Sequence, residues 1–262
     1  MTPEDEGRSD MRTTRSGPAV WILALAVLLT ATVANAQTGD GWQWSITPYL
    51  WATDINEDLI LEGEVVGGGR TEFKDLADKI DTSLQLHFEG IKNRWGFFGD
   101  VNYVELSDSE TGEQGIVRFE VDIEEIVFEA GAIYRPGGSS GRLDLLFGTR
   151  VTTVDEDYRL RVGELDPLQR SIDESYADAL VGVRYNIPLS DRWAISMRGD
   201  VSLGGTDYMW TAQGLIGWRF GSRRQSALFA GYRYRDMEFS KAGEFEVRKT
   251  LSGFGLGIKI GF

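Results

Sequence analysis

Large apolar residues recur at every second position in ten separate stretches of this chain, with polar or small residues between them. The last stretch shows it most plainly: Phe254, Leu256, Ile258, Ile260 and Phe262 alternate with Gly255, Gly257, Lys259 and Gly261. Such alternation puts the apolar side chains on one face of a β-strand and the rest on the other. It predicts strands over 42–54, 82–91, 95–106, 117–134, 143–154, 176–187, 193–203, 208–220, 228–237 and 246–262. Each is long enough for the roughly 9–11 residues that a tilted strand needs to cross a bilayer.

Turn residues punctuate these stretches. Lys92-Asn93-Arg94, Pro136 to Gly141, Ser190 to Arg192 and Gly221 to Gln225 are short connections rich in turn formers, whereas 55–81, 107–116 and 155–175 are longer and polar. Within 55–80, Leu59-Ile60-Leu61 and Glu64-Val65-Val66 are able to pair as an extra hairpin, with Phe73 to Ile80 as a short helix. That makes twelve strands the alternative to ten; eight would require two of the strands to be loops. One stretch conflicts with itself. Phe119, Val121 and Ile123 place the apolar face on odd positions, but Ile126, Phe128, Ala130, Ala132 and Tyr134 place it on even ones. A β-bulge near Glu124–Glu125 would reconcile them by inserting one residue.

An apolar face on every strand must be covered. A soluble periplasmic β-sandwich does so with a second sheet. A closed antiparallel up-and-down barrel in a bacterial outer membrane turns the face to lipid and leaves no sheet edge. The front of the chain favours the barrel. Ala19 to Val33 is an apolar run of 15 residues, short for a spanning helix, preceded by Arg12 and Arg15 and followed by Ala34-Asn35-Ala36. These are the parts of a secretory signal peptide over 1–36, which leaves an outer-membrane barrel domain over 37–262. Met11 is an alternative start. A terminal aromatic on an alternating strand resembles the signal read by the barrel-assembly machinery, so Phe254, Leu256, Ile258, Ile260 and Phe262 are the expected assembly signal.

Charge sharpens the picture. The chain holds 27 Lys and Arg against 41 Asp and Glu, a net charge of −14, and loss of residues 1–36 would leave −13. Such an excess argues against nucleic acid as a partner. There is no cysteine, so a secreted domain needs another source of rigidity, and barrel closure is one. The short turns carry Lys92, Arg94, Arg135, Arg142, Arg192, Arg223 and Arg224 against Asp191, while the long connections are rich in acids. Outer-membrane barrels have short periplasmic turns and longer outer loops. The basic end is therefore expected in the periplasm. The acidic end is expected level with lipopolysaccharide phosphates, where divalent cations would bridge the two.

The other face of the strands carries His87, Glu89, Asp100, Asn102, Arg150, Asp178, Arg184, Arg198, Asp200, Arg219, Arg233, Arg235 and Lys259. Inside a small barrel unpaired charges are costly, so these groups are expected to pair and plug the lumen. A narrow pore is the alternative. Gly148, Gly182, Gly217, Gly231, Gly253, Gly255 and Gly257 share the inward parity and are expected to leave room for the arginines.

The same positions carry a resemblance. Trp44-x-x-x-Pro48-Tyr49-Leu50-Trp51, Phe73-x-Asp75-Leu76, Trp95-Gly96-x-x-Gly99-Asp100-x-x-Tyr103, Gly148-x-Arg150, Gly182-x-Arg184-Tyr185, Arg198-Gly199-Asp200 and Gly231-Tyr232-Arg233-Tyr234 recur in order along the chain. In that order they resemble a family of uncharacterised proteobacterial outer-membrane β-barrel proteins. The resemblance implies a porin-like or OmpA-like small barrel and brings no catalytic residues.

The sole histidine, His87, limits enzymatic readings. With Glu89 on its face and Asp100 on the next strand it would serve an outer-membrane hydrolase, but no serine shares an obvious site with it. The alternative is a lumenal hydrogen-bonding residue. Asp54-x-Asn56-x-Asp58 opens like a calcium loop, yet Leu59 stands where the turn glycine belongs and Val65 where the bidentate glutamate belongs. Gly253-x-Gly255-x-Gly257 leads into no helix and is not a dinucleotide fingerprint. The sequence therefore predicts no cofactor, no metal and no catalysis.

Overall fold

The protein is described by a computed structural model over residues 41–112, 117–163, 166–221, 225–241 and 245–262. The expected signal segment, with Ala34 and Ala36, lies outside these residues, as do Arg223 and Arg224.

Eleven strands make one antiparallel sheet: β1 (Gln43–Leu61), β2 (Glu64–Thr71), β3 (Ile80–Lys92), β4 (Trp95–Thr111), β5 (Val117–Tyr134), β6 (Leu143–Val162), β7 (Leu168–Pro188), β8 (Trp193–Gly204), β9 (Tyr208–Phe220), β10 (Ser226–Lys241) and β11 (Phe245–Gly261). From β3 to β11 each strand pairs with the next in sequence. β11 then pairs with β1 from Ser45↔Gly261 to Ile60↔Glu246. Ten strands thus close a barrel, and no edge is left around the ring. β2 stands outside it, folded back on the end of β1 through Ile60↔Val65 and Leu61↔Glu64. The extra hairpin therefore exists, but its first arm is β1 itself, so the ring stays at ten.

A short helix, α1 (Phe73–Leu76), and a 3-10 turn (Ala77–Lys79) lead from β2 to β3. They enter a break in the wall. β1 pairs with β3 only from Gln43 to Pro48 and with β2 only from Ile55 onward. In the gap, the Trp51 amide donates to the Gln85 side chain at 2.7 Å and the Phe73 amide to Asp54 at 2.8 Å. Side chains thereby satisfy a strand amide without a ladder partner and the first amide of α1.

The outer surface carries an apolar band. Leu50, Phe128, Phe147, Val181, Leu256 and Phe254 point outward, and Phe254 is 73% exposed. Toward the end with the short turns, here the near end, Trp42, Trp44, Phe88 and Phe97 stack into an aromatic cluster. Trp95 packs on Tyr134 beside them.

β5 explains the parity conflict. Its register runs unbroken against both β4 and β6, so the expected bulge at Glu124–Glu125 is absent. Odd positions face inward along the whole strand. What changes is the medium outside. Phe128, Ala130 and Ala132 face the apolar band, whereas Glu120, Asp122 and Glu124 lie beyond it and face water. Once the exterior is wet, the interior becomes the apolar side, and Val121 and Ile123 line it. β6, β10 and β11 invert in the same way, with Asp155, Asp236 and Arg248 facing out and Val154, Met237 and Leu251 facing in. The expected long acidic connections are therefore largely strand: β6 has 20 residues and β7 has 21. Asp54, Asn56 and Asp58 sit in β1 rather than in a calcium loop.

The glycines also differ from expectation. A Cβ on Gly148 would meet the Ala130 carbonyl oxygen at 2.2 Å, and one on Gly257 would meet Phe229 at 2.4 Å and Tyr49 at 2.8 Å. These two serve the close approach of neighbouring strands and aromatic packing, whereas Gly217 and Gly255 border the cavity that Arg219 and Arg233 line.

The band has a direct test. Leu256→Arg places a charge at its middle and should cost about 2–4 kcal/mol in urea unfolding from lipid. Thr250→Arg, outward on the same strand but beyond the band and beside Asp236, should cost well under about 1 kcal/mol. Equal costs would show that the band is misplaced.

Candidate functional site

The interior of the barrel gathers most of the charged residues expected there, and it is built in layers. At the near end lies a cavity of about 540 Å³. Its walls carry Arg135, Arg184, Glu89, Arg219 and Lys259, with Ile91, Leu215 and Phe229 between them. Arg184 donates to Glu89 at 2.5 Å and to Asp144 at 2.8 Å, and Arg135 donates to the same Asp144 at 2.6 Å. Asp144 is fully buried. Beside this ladder, Ile91, Phe98, Ile133, Leu146 and Leu180 form an inward apolar cluster on β3 to β7.

Above the cavity is a knot of ion pairs. Arg150, with 0% of its surface exposed, donates to Glu129 at 2.9 Å, to Asp200 at 2.6 Å and to Ser202 at 2.9 Å. Arg198 donates to Glu129 at 2.8 Å, and Arg235 donates to it at 3.2 Å. Charges this deep are tolerable only because each has an opposite partner and hydrogen bonds. On top of the knot Trp51, Met209, Met237, Phe239 and Leu251 meet as a second apolar cluster. Arg233 and Arg235 lie over the Trp51 ring at 4.9 Å and 5.7 Å from its centre.

His87 sits on the cavity wall between two acids. Its Nδ1 is 3.0 Å from Asp100, and its Nε2 is 3.6 Å from Glu89. Tyr49 donates to the other Asp100 oxygen at 2.7 Å. Both ring nitrogens therefore point at carboxylates, and no serine is bonded to either.

Other residues of the expected lumenal set behave differently. Asp178 is buried but among the described residues pairs with no base. It accepts from the Gly205 and Thr206 amides, both at 2.9 Å, and from the Thr206 hydroxyl at 2.7 Å. It pins the tight β8–β9 turn from inside. Arg219, Arg233 and Lys259 face the lumen, yet among the described residues no carboxylate forms an ion pair with them; Arg233 donates to Gln213 at 3.2 Å. The expectation that all inward charges pair is thus corrected for these three. Their strands, β9 to β11, carry no inward acid at their level. Glu129 and Asp144, which hold the network together, were missed in the sequence. Their positions, between Phe128 and Ala130 and between Leu143 and Leu145, carry the inward parity that marks them. No group of three or more His, Cys, Asp or Glu suited to a metal occurs among the described residues.

On the outer face of the far walls the register brings acids together. Glu105 opposes Glu124, Glu124 opposes Asp155, and Asp155 opposes Asp173, a row of carboxylates across β4 to β7 just beyond the apolar band.

No known family and no curated protein matches the sequence. The fold is similar to several solved structures. One is the translocator domain of the autotransporter NalP from Neisseria meningitidis, with 14% identity, a TM-score of 0.46, and 90% of this chain and 96% of that one covered. A second is the outer membrane protease OmpT from Escherichia coli, with 8% identity, a TM-score of 0.45 and coverage of 86% and 98%. A third is Ail, the attachment invasion locus protein of Yersinia pestis, in complex with sucrose octasulfate, with 11% identity, a TM-score of 0.37 and coverage of 84% and 99%. Closure, strand alternation and the apolar exterior band make this chain a β-barrel of the outer-membrane type.

The ion-pair knot yields a stability prediction. Arg150→Met should destabilise the barrel by about 3–5 kcal/mol in urea unfolding from micelles, because Glu129 and Asp200 lose a buried partner. Adding Asp200→Asn should recover part of the loss. A cost no larger than that of Arg161→Met, on the exposed far wall, would show the knot to be unimportant.

Proposed function

We propose that this protein is a closed, non-conducting outer-membrane barrel that acts through the surfaces it presents rather than through a continuous pore. The observation that carries this reading is the stacking of two different seals across the lumen: the Arg150–Glu129–Asp200 knot and the apolar cluster of Trp51, Met209, Met237, Phe239 and Leu251. An ion crossing the first would break charge-assisted hydrogen bonds, and the second offers it no ligands. In the orientation that fits the basic short turns, the near end opens to the periplasm and the long walls project from the cell. The acid row on β4 to β7 then stands at the level of lipopolysaccharide phosphates and would meet them through divalent cations. Insertion would pass through the barrel-assembly machinery, with β11 as the strand it reads.

Planar-bilayer recording tests the seals. Purified protein should give no steady current at neutral pH, and stable open-channel currents would overturn the reading. A second reading, a hydrolase built on His87, draws only on the His87–Asp100 contact. Carboxylates face both ring nitrogens, and although Thr47 stands opposite His87 and Ser45 lines the same cavity, no hydroxyl among the described residues is hydrogen-bonded to the ring, which weighs against it. His87→Ala should leave folding and cellular phenotype nearly unchanged; loss of a hydrolytic activity measured in the wild type would reverse that judgement.

A further inference from the structure

On the β9 to β11 side the ion pairs of the lumen stop short of its near end. Lys259 on β11 and Arg219 on β9 are both opposite Ala227 on β10, so the two cations flank a small side chain on adjacent strands, roughly 10 Å apart at the backbone. The charged groups that act most strongly on Lys259 include Glu89, Arg184, Arg135 and Arg219, three cations and one acid. That acid already accepts from Arg184 at 2.5 Å, and the nearby Asp144 is shared between Arg184 and Arg135. Arg219 and Lys259 are left without a carboxylate, in a protein whose net charge is −14. They border the cavity of about 540 Å³, within the size range of small-molecule sites. The cavity is not wholly polar, since Ile91, Leu215 and Phe229 also line it.

We infer that this cavity is a binding cup for a small organic oxyanion, phosphate- or carboxylate-bearing, held by Arg219 and Lys259. The guanidinium offers a planar fork matched to phosphate or carboxylate, and the ammonium offers a point charge beside it. The apolar patch formed by Leu215 and Phe229 would take the carbon body of the ligand. Two cations close together in a cavity of low dielectric repel each other, so an arriving anion relieves a cost that folding leaves in place. The knot above the cavity makes the cup blind. The site itself does not rest on the proposed absence of conductance: in a conducting barrel the same residues would form an anion-attracting entrance. Only the compartment it meets depends on the orientation proposed above.

Calorimetric titration of the full barrel in phosphatidylcholine nanodiscs tests this, with glycerol 3-phosphate and citrate as separate probes and glycerol as the neutral control. At least one anion should bind with a dissociation constant below about 1 mM, weaken as salt rises, and show that glycerol gives no heat. The double variant Arg219→Gln/Lys259→Gln should weaken binding at least about tenfold, in line with the loss of charge-assisted bonds. Arg142→Gln, a cation in a near-end turn outside the cavity, should leave it within about twofold. Neither substituted cation holds an acid, so folding should survive, as read from the mobility difference between boiled and unboiled samples. If the double variant does not fold, the wild-type titration and the single variant Lys259→Gln decide. Absence of binding by both anions up to about 10 mM, or equal binding by wild type and variant, overturns the assignment.

Discussion

Everything in this structure depends on the closing of β11 onto β1. In hydrocarbon, a backbone amide or carbonyl without a partner costs several kcal/mol, so a sheet can cross a bilayer only if its two edges find each other. Register from Ser45↔Gly261 to Ile60↔Glu246 meets that demand along most of β1, with the pairing interrupted at Thr47 and Pro48. Where β1 parts from β3, Gln85 accepts the Trp51 amide and Asp54 accepts the first amide of α1, from Phe73.

Closure creates an inside, and the inside sets the second constraint. Charged side chains that point inward leave water, and they persist only where opposite charges meet. Glu129 is the best example, receiving hydrogen bonds from Arg150, Arg198 and Arg235. The pairing is unevenly spread around the ring. Strands β3 to β8 hold the inward acids, and β9 to β11 hold inward bases alone. On that wall Arg235 and Lys249 reach across to Glu129 and Glu125, while Arg219, Arg233 and Lys259 have no carboxylate partner among the described residues, one near the aromatic ring of Trp51 and two beside the cavity. The seal and the cup have the same origin: the acids sit on one side of the barrel.

The inversion of the apolar face along β5 carries a general lesson about reading such chains. Side-chain direction never changes at Glu124; the surroundings do. A strand that runs out of the lipid keeps its geometry while its wet and dry faces exchange, and the exchange marks the height of the membrane surface. Read as a bulge, the same pattern hides both the length of the strands and the walls that rise beyond the lipid.

Periodicity marked ten alternating strands, each with one apolar face, and together with the signal-like front of the chain it favoured a barrel with that face to lipid over a sandwich. It also marked which side chains enter the lumen, His87, Arg150, Asp200 and Lys259 among them. It did not decide which of these would meet. Arg150 and Asp200 lie 50 residues apart and Arg235 and Glu129 lie 106 apart, and such distances are bridged only by the curvature and stagger of the closed sheet. The same is true of Asp178, whose inward parity suggested an ion pair but whose height on β7 set it against the amides of the β8–β9 turn. Parity is a local property fixed by the backbone, whereas partnership depends on where ten strands stop relative to one another, and only closure sets that.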